Sequence, residues 1–227
     1  MNGGESPSFI ILVEGTEMNR SIIYVHGMGG SHLEADSYMG SCNGLDVIGV
    51  DYGSYVPSEA ARVIRSFYDD IHVRYDDVYV LANSIGAYFS MIALDDCDVA
   101  KAFFISPVLD MKRVISDMMK RSGVSEDELK EKSEIVTSSG EVLSWEYLSF
   151  VRSNPIKWRV PTEILYAGND SITSRETVNE FVRTHDAGLT VMENGEHWFH
   201  TEEQLTFLNE WLKKVTAQPQ PVDHRQP

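Results

Sequence analysis

Long apolar runs are missing from this 227-residue chain: no stretch approaches the ~20 residues that a membrane span requires. Positive charge is scarce, with 19 Lys and Arg against 35 Asp and Glu, leaving a formal charge of −16. So acidic a surface repels phosphate backbones and anionic lipid, which excludes nucleic acid and a membrane as expected partners. Cysteine is nearly absent. Cys42 and Cys97 form no C-x-x-C, have no histidine at zinc-finger spacing and support no disulfide framework, so two reduced thiols and no metal are expected. The start, MNGGESPSF, has neither the basic nor the apolar region of a secretion signal, and a cytoplasmic location is the expectation.

What is present is a globular composition, 42% hydrophobic and 24% charged, on a length that suits one large domain or two small ones. Short apolar runs recur at Phe9 to Val13, Ile22 to Val25, Leu45 to Val50, Val78 to Leu81, Ala102 to Ile105, Ile164 to Tyr166 and Leu189 to Met192. Nearly continuous apolar character predicts strands covered on both faces, as in a parallel sheet. Helical spacing lies between them. Pro57 opens one helix, with Ala60, Ile64, Phe67, Tyr68 and Ile71 on its inner face; others are expected over 84–94 and 174–185 and after Glu202. Alternating strands and helices indicate an α/β fold.

The interval between Ile105 and Glu163 breaks the alternation. It carries no convincing strand but several helical signals: Val114, Met118 and Met119 before Gly123, a capping-box pattern at Ser125 and Glu128, and Trp145, Tyr147, Leu148, Phe150 and Val151 before Pro155. A helical cap is expected over 107–159, either covering a site or simply packed on the sheet. The tail 216–227, with three prolines and few apolar residues, is expected to be disordered.

Directly after the strand Val78 to Leu81, Ala82, Ser84 and Gly86 make small-x-Ser-x-Gly where a strand turns into a helix. A serine on such a turn is pushed outward at the carboxyl edge of the sheet. It needs a base to take its proton and a carboxylate to orient that base. Asp170 follows the strand Ile164 to Tyr166, and His197 follows Leu189 to Met192, so both reach the same edge. The spacing from Ser84 to Asp170 leaves room for the cap, whereas Asp170 to His197 holds one helix and one strand. Backbone amides for a developing oxyanion are expected at Met28, in the turn His26-Gly27-Met28-Gly29-Gly30, and at Ile85.

Rivals exist for each role. His200 stands three residues beyond His197; His26 is expected to brace the glycine turn, and His32, His72, His185 and His224 lack the post-strand context. Asp51 and Asp110 are lesser alternatives to Asp170. Tyr52, Tyr55 and Trp198, with Met118, Met119, Trp145 and Phe150 of the cap, are candidates to line a pocket, although such stripes are more often plain core.

These motifs, His26 to Gly30, Ala82 to Gly86, Gly168 to Asp170 and Gly195 to Phe199, make the chain resemble the α/β hydrolases over nearly its whole length, about 1–215 as one domain. Ala82 departs from the usual glycine, and Asn83 stands where many members carry histidine. The resemblance implies a mostly parallel, eight-stranded sheet with helices on both faces. It also implies Ser84, Asp170 and His197 as nucleophile, acid and base, with no cofactor. The expected activity is hydrolysis of a small uncharged carboxylic ester. Thioester or amide cleavage would use the same groups, and a non-catalytic binding protein of this fold is the contrasting reading.

Overall fold

A computed structural model describes residues 19–217. The expected strand at Phe9 to Val13 and the tail beyond Ala217 lie outside the described residues. Among the described residues, six parallel strands form the main sheet in the order β2-β1-β3-β4-β7-β8: β1 (Arg20–Val25), β2 (Asp46–Gly49), β3 (Asp77–Asn83), β4 (Ala102–Ile105), β7 (Thr162–Ala167) and β8 (Ala187–Met192). Every strand predicted within the described residues is present.

The strands bury side chains on both faces, with a period of two. Ile23, Val25, Val80, Ala82, Phe104 and Ile164 point to one core cluster. Their neighbours Ile22, Tyr24, Leu81, Phe103, Ile105 and Leu165 point to the other. The first face is covered by α2 (Pro57–His72), α3 (Ile85–Ala93) and α7 (Arg175–Thr184), together with the excursion between β4 and β7. The second is covered by the short α1 (Ala35–Tyr38) and by α8 (Glu202–Val215), which contributes Leu208, Trp211 and Leu212. Sandwiching the sheet in this way explains why its strands read as unbroken apolar runs.

The excursion contains α4 (Met111–Ser122), α5 (Glu126–Lys132) and α6 (Trp145–Ser153). It also contains an antiparallel hairpin, β5 (Glu134–Val136) with β6 (Val142–Ser144), where no strand was expected. Three residues a side are too few for an alternation signal, and the turn at Gly140, φ +86°, sets their register. Ser125 Oγ caps α5 by accepting from Glu128 N, but the Glu128 carboxylate is taken by Lys132 rather than returned to the cap. Thr216, assigned by composition to the tail, is buried and ordered as the C-cap of α8; its Oγ1 donates to Leu212 O and accepts from Asn43 Nδ2. Among the described residues no helix is long and apolar enough to cross a membrane.

Candidate active site

Ser84 sits between the end of β3 and the start of α3 with φ 53° and ψ −120°. A side chain at positive φ is strained and persists only where its surroundings enforce it. Backbone bonds do so here: Ser84 N donates to Ile105 O at 3.0 Å, and Ser84 O accepts from Val108 N at 3.0 Å and Ala87 N at 3.1 Å. Gly86 is required by contact. A Cβ there would lie 2.4 Å from Val25 O and 2.6 Å from His26 O, so only glycine lets α3 pass so close to the end of β1.

The loop after β7 carries Asp170, whose side chain is wholly buried. Its Oδ1 accepts from Ile172 N at 2.7 Å and Thr173 N at 3.0 Å, and its Oδ2 lies 2.8 Å from His197 Nδ1. Three hydrogen-bond donors thus satisfy a carboxylate removed from water. Thr173, which the sequence did not single out, anchors this loop: its Oγ1 donates to Pro107 O at 2.8 Å and its carbonyl accepts from Tyr166 Oη at 3.0 Å. The only hint in the sequence is an aspartate in a post-strand turn, free to bond amides two and three residues on.

His197, in the loop after β8, places Nε2 2.8 Å from Ser84 Oγ. With a carboxylate oxygen at Nδ1, that nitrogen carries the proton and donates it, leaving the Nε2 lone pair to accept from the serine hydroxyl. The three predicted side chains therefore meet in one line of hydrogen bonds, with Ser84 and His197 both buried. The Trp198 indole is exposed and stands edge-on to the imidazole at 4.9 Å.

The rival residues lie elsewhere. His200 is exposed, with Nδ1 3.5 Å from Glu196, and its amide donates to Gln204. Asp51 is 73% exposed and faces His32 at 3.8 Å. Asp110 caps α4 by accepting from Arg113 N at 2.9 Å. His185 stacks on Phe181. Among the described residues no group of three or more His, Cys, Asp and Glu is placed to hold a metal ion.

The glycine turn after β1 lies against the elbow; a Cβ on Gly27 would sit 3.2 Å from Ser84 Cβ. His26 Nδ1 bonds Gly27 O at 2.8 Å while its ring stacks on Tyr52 at 4.2 Å, so it braces the turn. Tyr52 Oη donates to His26 O at 2.7 Å. Burial, reinforced by neighbouring Tyr55 and Tyr147, raises the Tyr52 phenol well above its ordinary range and keeps it a donor. Within the turn, Gly29 N, Gly30 N and Ser31 N are bonded to Tyr55 Oη, Gly27 O and Glu34 Oε1. Met28 N has no partner among the described residues, and Ile85 N heads α3. Ser31 and Glu34 make a reciprocal capping box, also unforeseen, that ends the turn in a short 3-10 helix.

No protein-family model matches the chain, and no curated protein matches its sequence. Solved structures do match. Est1E from Butyrivibrio proteoclasticus is similar with a TM-score of 0.70 at 16% identity, covering 89% of each chain. Mouse alpha/beta hydrolase domain-containing protein 10 gives 0.69 at 15% identity, over 86% of this chain and 88% of its own. The Pyrococcus furiosus esterase PF2001 gives 0.56 at 18% identity, over 87% and 80%. Together with the parallel six-stranded sheet, these likenesses show that the chain has the α/β hydrolase fold.

Proposed function

We propose that the protein is a serine hydrolase that cleaves a carboxylic ester through an acyl-enzyme. The observation that carries this reading is the unbroken line Asp170 Oδ2, His197 Nδ1, His197 Nε2, Ser84 Oγ, with 2.8 Å at each of its two contacts. Ser84 Oγ attacks the ester carbonyl as His197 Nε2 takes its proton, and Asp170 holds the tautomer and offsets the charge of the imidazolium. The carbonyl oxygen becomes an oxyanion, for which the amides of Met28 and Ile85 are the donors, each worth roughly 3 to 4 kcal/mol in the transition state. His197 returns the proton to the departing alcohol. It then activates a water, which attacks the acyl carbon and releases the acid and Ser84. Nucleophile, base and donors all belong to the chain itself, so no cofactor enters the steps.

Two things support an ester as substrate class. The similar P. furiosus protein is described as an esterase, and Est1E is also known with ferulic acid bound. The charge of −16 disfavours approach of anionic substrates, so an uncharged ester is the expected one.

A fluorophosphonate probe tests the reading. It is expected to label the wild type once per chain and to leave folded Ser84→Ala unlabelled, with hydrolysis of p-nitrophenyl butyrate lost in parallel. A folded wild type that takes no label and turns over no ester in a series of graded acyl length would overturn it.

A further inference from the structure

The loop that joins β2 to α2 reaches across to the glycine turn after β1 through two hydroxyls, Tyr52 Oη on His26 O and Tyr55 Oη further along the turn. Tyr55 Oη accepts from Gly29 N at 2.7 Å and lies 3.4 Å from Gly27 O, to which it donates. One hydroxyl, donor and acceptor at once, therefore spans the two residues that flank Met28. Its ring is held in turn by Tyr52, edge-on at 6.0 Å and 90°, and Tyr52 is itself bonded to His26 O.

The turn needs such a restraint. Gly27, Gly29 and Gly30 surround Met28, and Gly29 lies at φ +76°, so the peptide groups on either side rotate at little steric cost. A rotated Gly27–Met28 peptide would present a carbonyl oxygen where the amide stands, and a carbonyl repels an oxyanion. Gly30 N at 3.1 Å and His26 Nδ1 at 2.8 Å both hold Gly27 O and so orient the planar Gly27–Met28 peptide, but neither reaches the next peptide, Met28–Gly29. Tyr55 holds that second peptide through Gly29 N at 2.7 Å, and its longer 3.4 Å contact to Gly27 O ties it to the first.

We propose that Tyr55 is a positioning residue for the oxyanion site, its hydroxyl clamping Gly27 and Gly29 so that the Met28 amide stays aimed at the reacting carbonyl. This rests on Ser84 being the nucleophile. The clamp acts through Met28 and does not touch substrate, so its removal lowers kcat and the affinity for tetrahedral adducts while leaving ground-state binding nearly alone.

The test compares wild type with Tyr55→Phe, which keeps the ring and deletes the bridge. With p-nitrophenyl butyrate, kcat is expected to fall about tenfold or more while KM moves less than about twofold. The Kd of butylboronic acid, whose adduct with Ser84 places an oxygen on the same amides, should rise by the same factor as kcat falls. Unchanged kcat and boronate affinity in a folded variant would overturn the proposal. Amide hydrogen exchange at Gly29 in the wild type, read by NMR, decides the matter if the variant does not fold: protection is expected, and exchange at the free-peptide rate overturns the clamp. A wild type that neither hydrolyses ester nor binds boronate defeats the hydrolase reading, and the clamp's catalytic role with it. An active wild type with an unaffected variant defeats the clamp alone.

Discussion

His197 and His200 lie three residues apart, yet one imidazole is buried between Asp170 and Ser84 and the other is exposed beside Glu196. His197→Ala is therefore expected to lower kcat roughly 10⁴-fold, and His200→Ala to keep it within about threefold, measured on the same ester. The acid is tested in the same way. An amide at position 170 would offer a donor to Nδ1 and force the wrong tautomer, so Asp170→Asn should cost about 10⁴ in kcat, whereas exposed Asp51→Asn should cost almost nothing. Gly86→Ala addresses backbone and not chemistry. Its methyl meets the carbonyl oxygens of Val25 and His26, neither of which is a flexible tip, so a loss of about 1 to 3 kcal/mol in denaturant unfolding is expected.

At the scale of elements, β1, β3, β7 and β8 each end in a loop that supplies one part of the site, because parallel strands bring their carboxyl ends to one edge. Those strands were legible as apolar runs, since a sheet covered on both faces writes a continuous signal. The β5–β6 hairpin was not, being three residues a side with exposed Val136 and Val142. The excursion between β4 and β7 starts at a cap that doubles as a check on the acid. Asp110 holds the first turn of α4 through Arg113 N, so Asp110→Ala should cost about 1 kcal/mol of stability. The rate of fluorophosphonate labelling should be unchanged; a large loss of labelling would make Asp110 part of the site after all.

Across the whole molecule, buried and half-buried thiols and phenols are pushed toward their neutral forms. Burial pushes the Cys42 thiol up to about 12 and, acting first among several causes, the Cys97 thiol up to about 11. Burial likewise lifts the Tyr38 and Tyr68 phenols to about 12 and raises Tyr24, Tyr88 and Tyr147 further. Each folded value exceeds its unfolded one. Above about pH 9 the unfolded chain therefore binds fewer protons than the folded one, and stability falls as pH rises. Cooperative unfolding between about pH 9 and 12, followed by circular dichroism and tyrosinate absorbance together, is the expected outcome. Tyrosinate absorbance that rises well before the loss of structure would show these groups to be accessible.

Sequence alone determined the α/β alternation, the strand-to-helix turn at Ser84 and the chain order of Ser84, Asp170 and His197 on post-strand loops, because strand burial, tight turns and chain order are local or periodic properties. It also supplied the scarcity of positive charge and of cysteine. Only the tertiary structure decided which histidine meets which carboxylate, and that Thr173 and Tyr55 hold the loops that matter. Those contacts join residues far apart along the chain, Thr173 to Pro107 and Tyr55 to Gly29, through single hydroxyls. No periodicity records a hydrogen bond between two loops; it exists only once the sheet has brought their ends together.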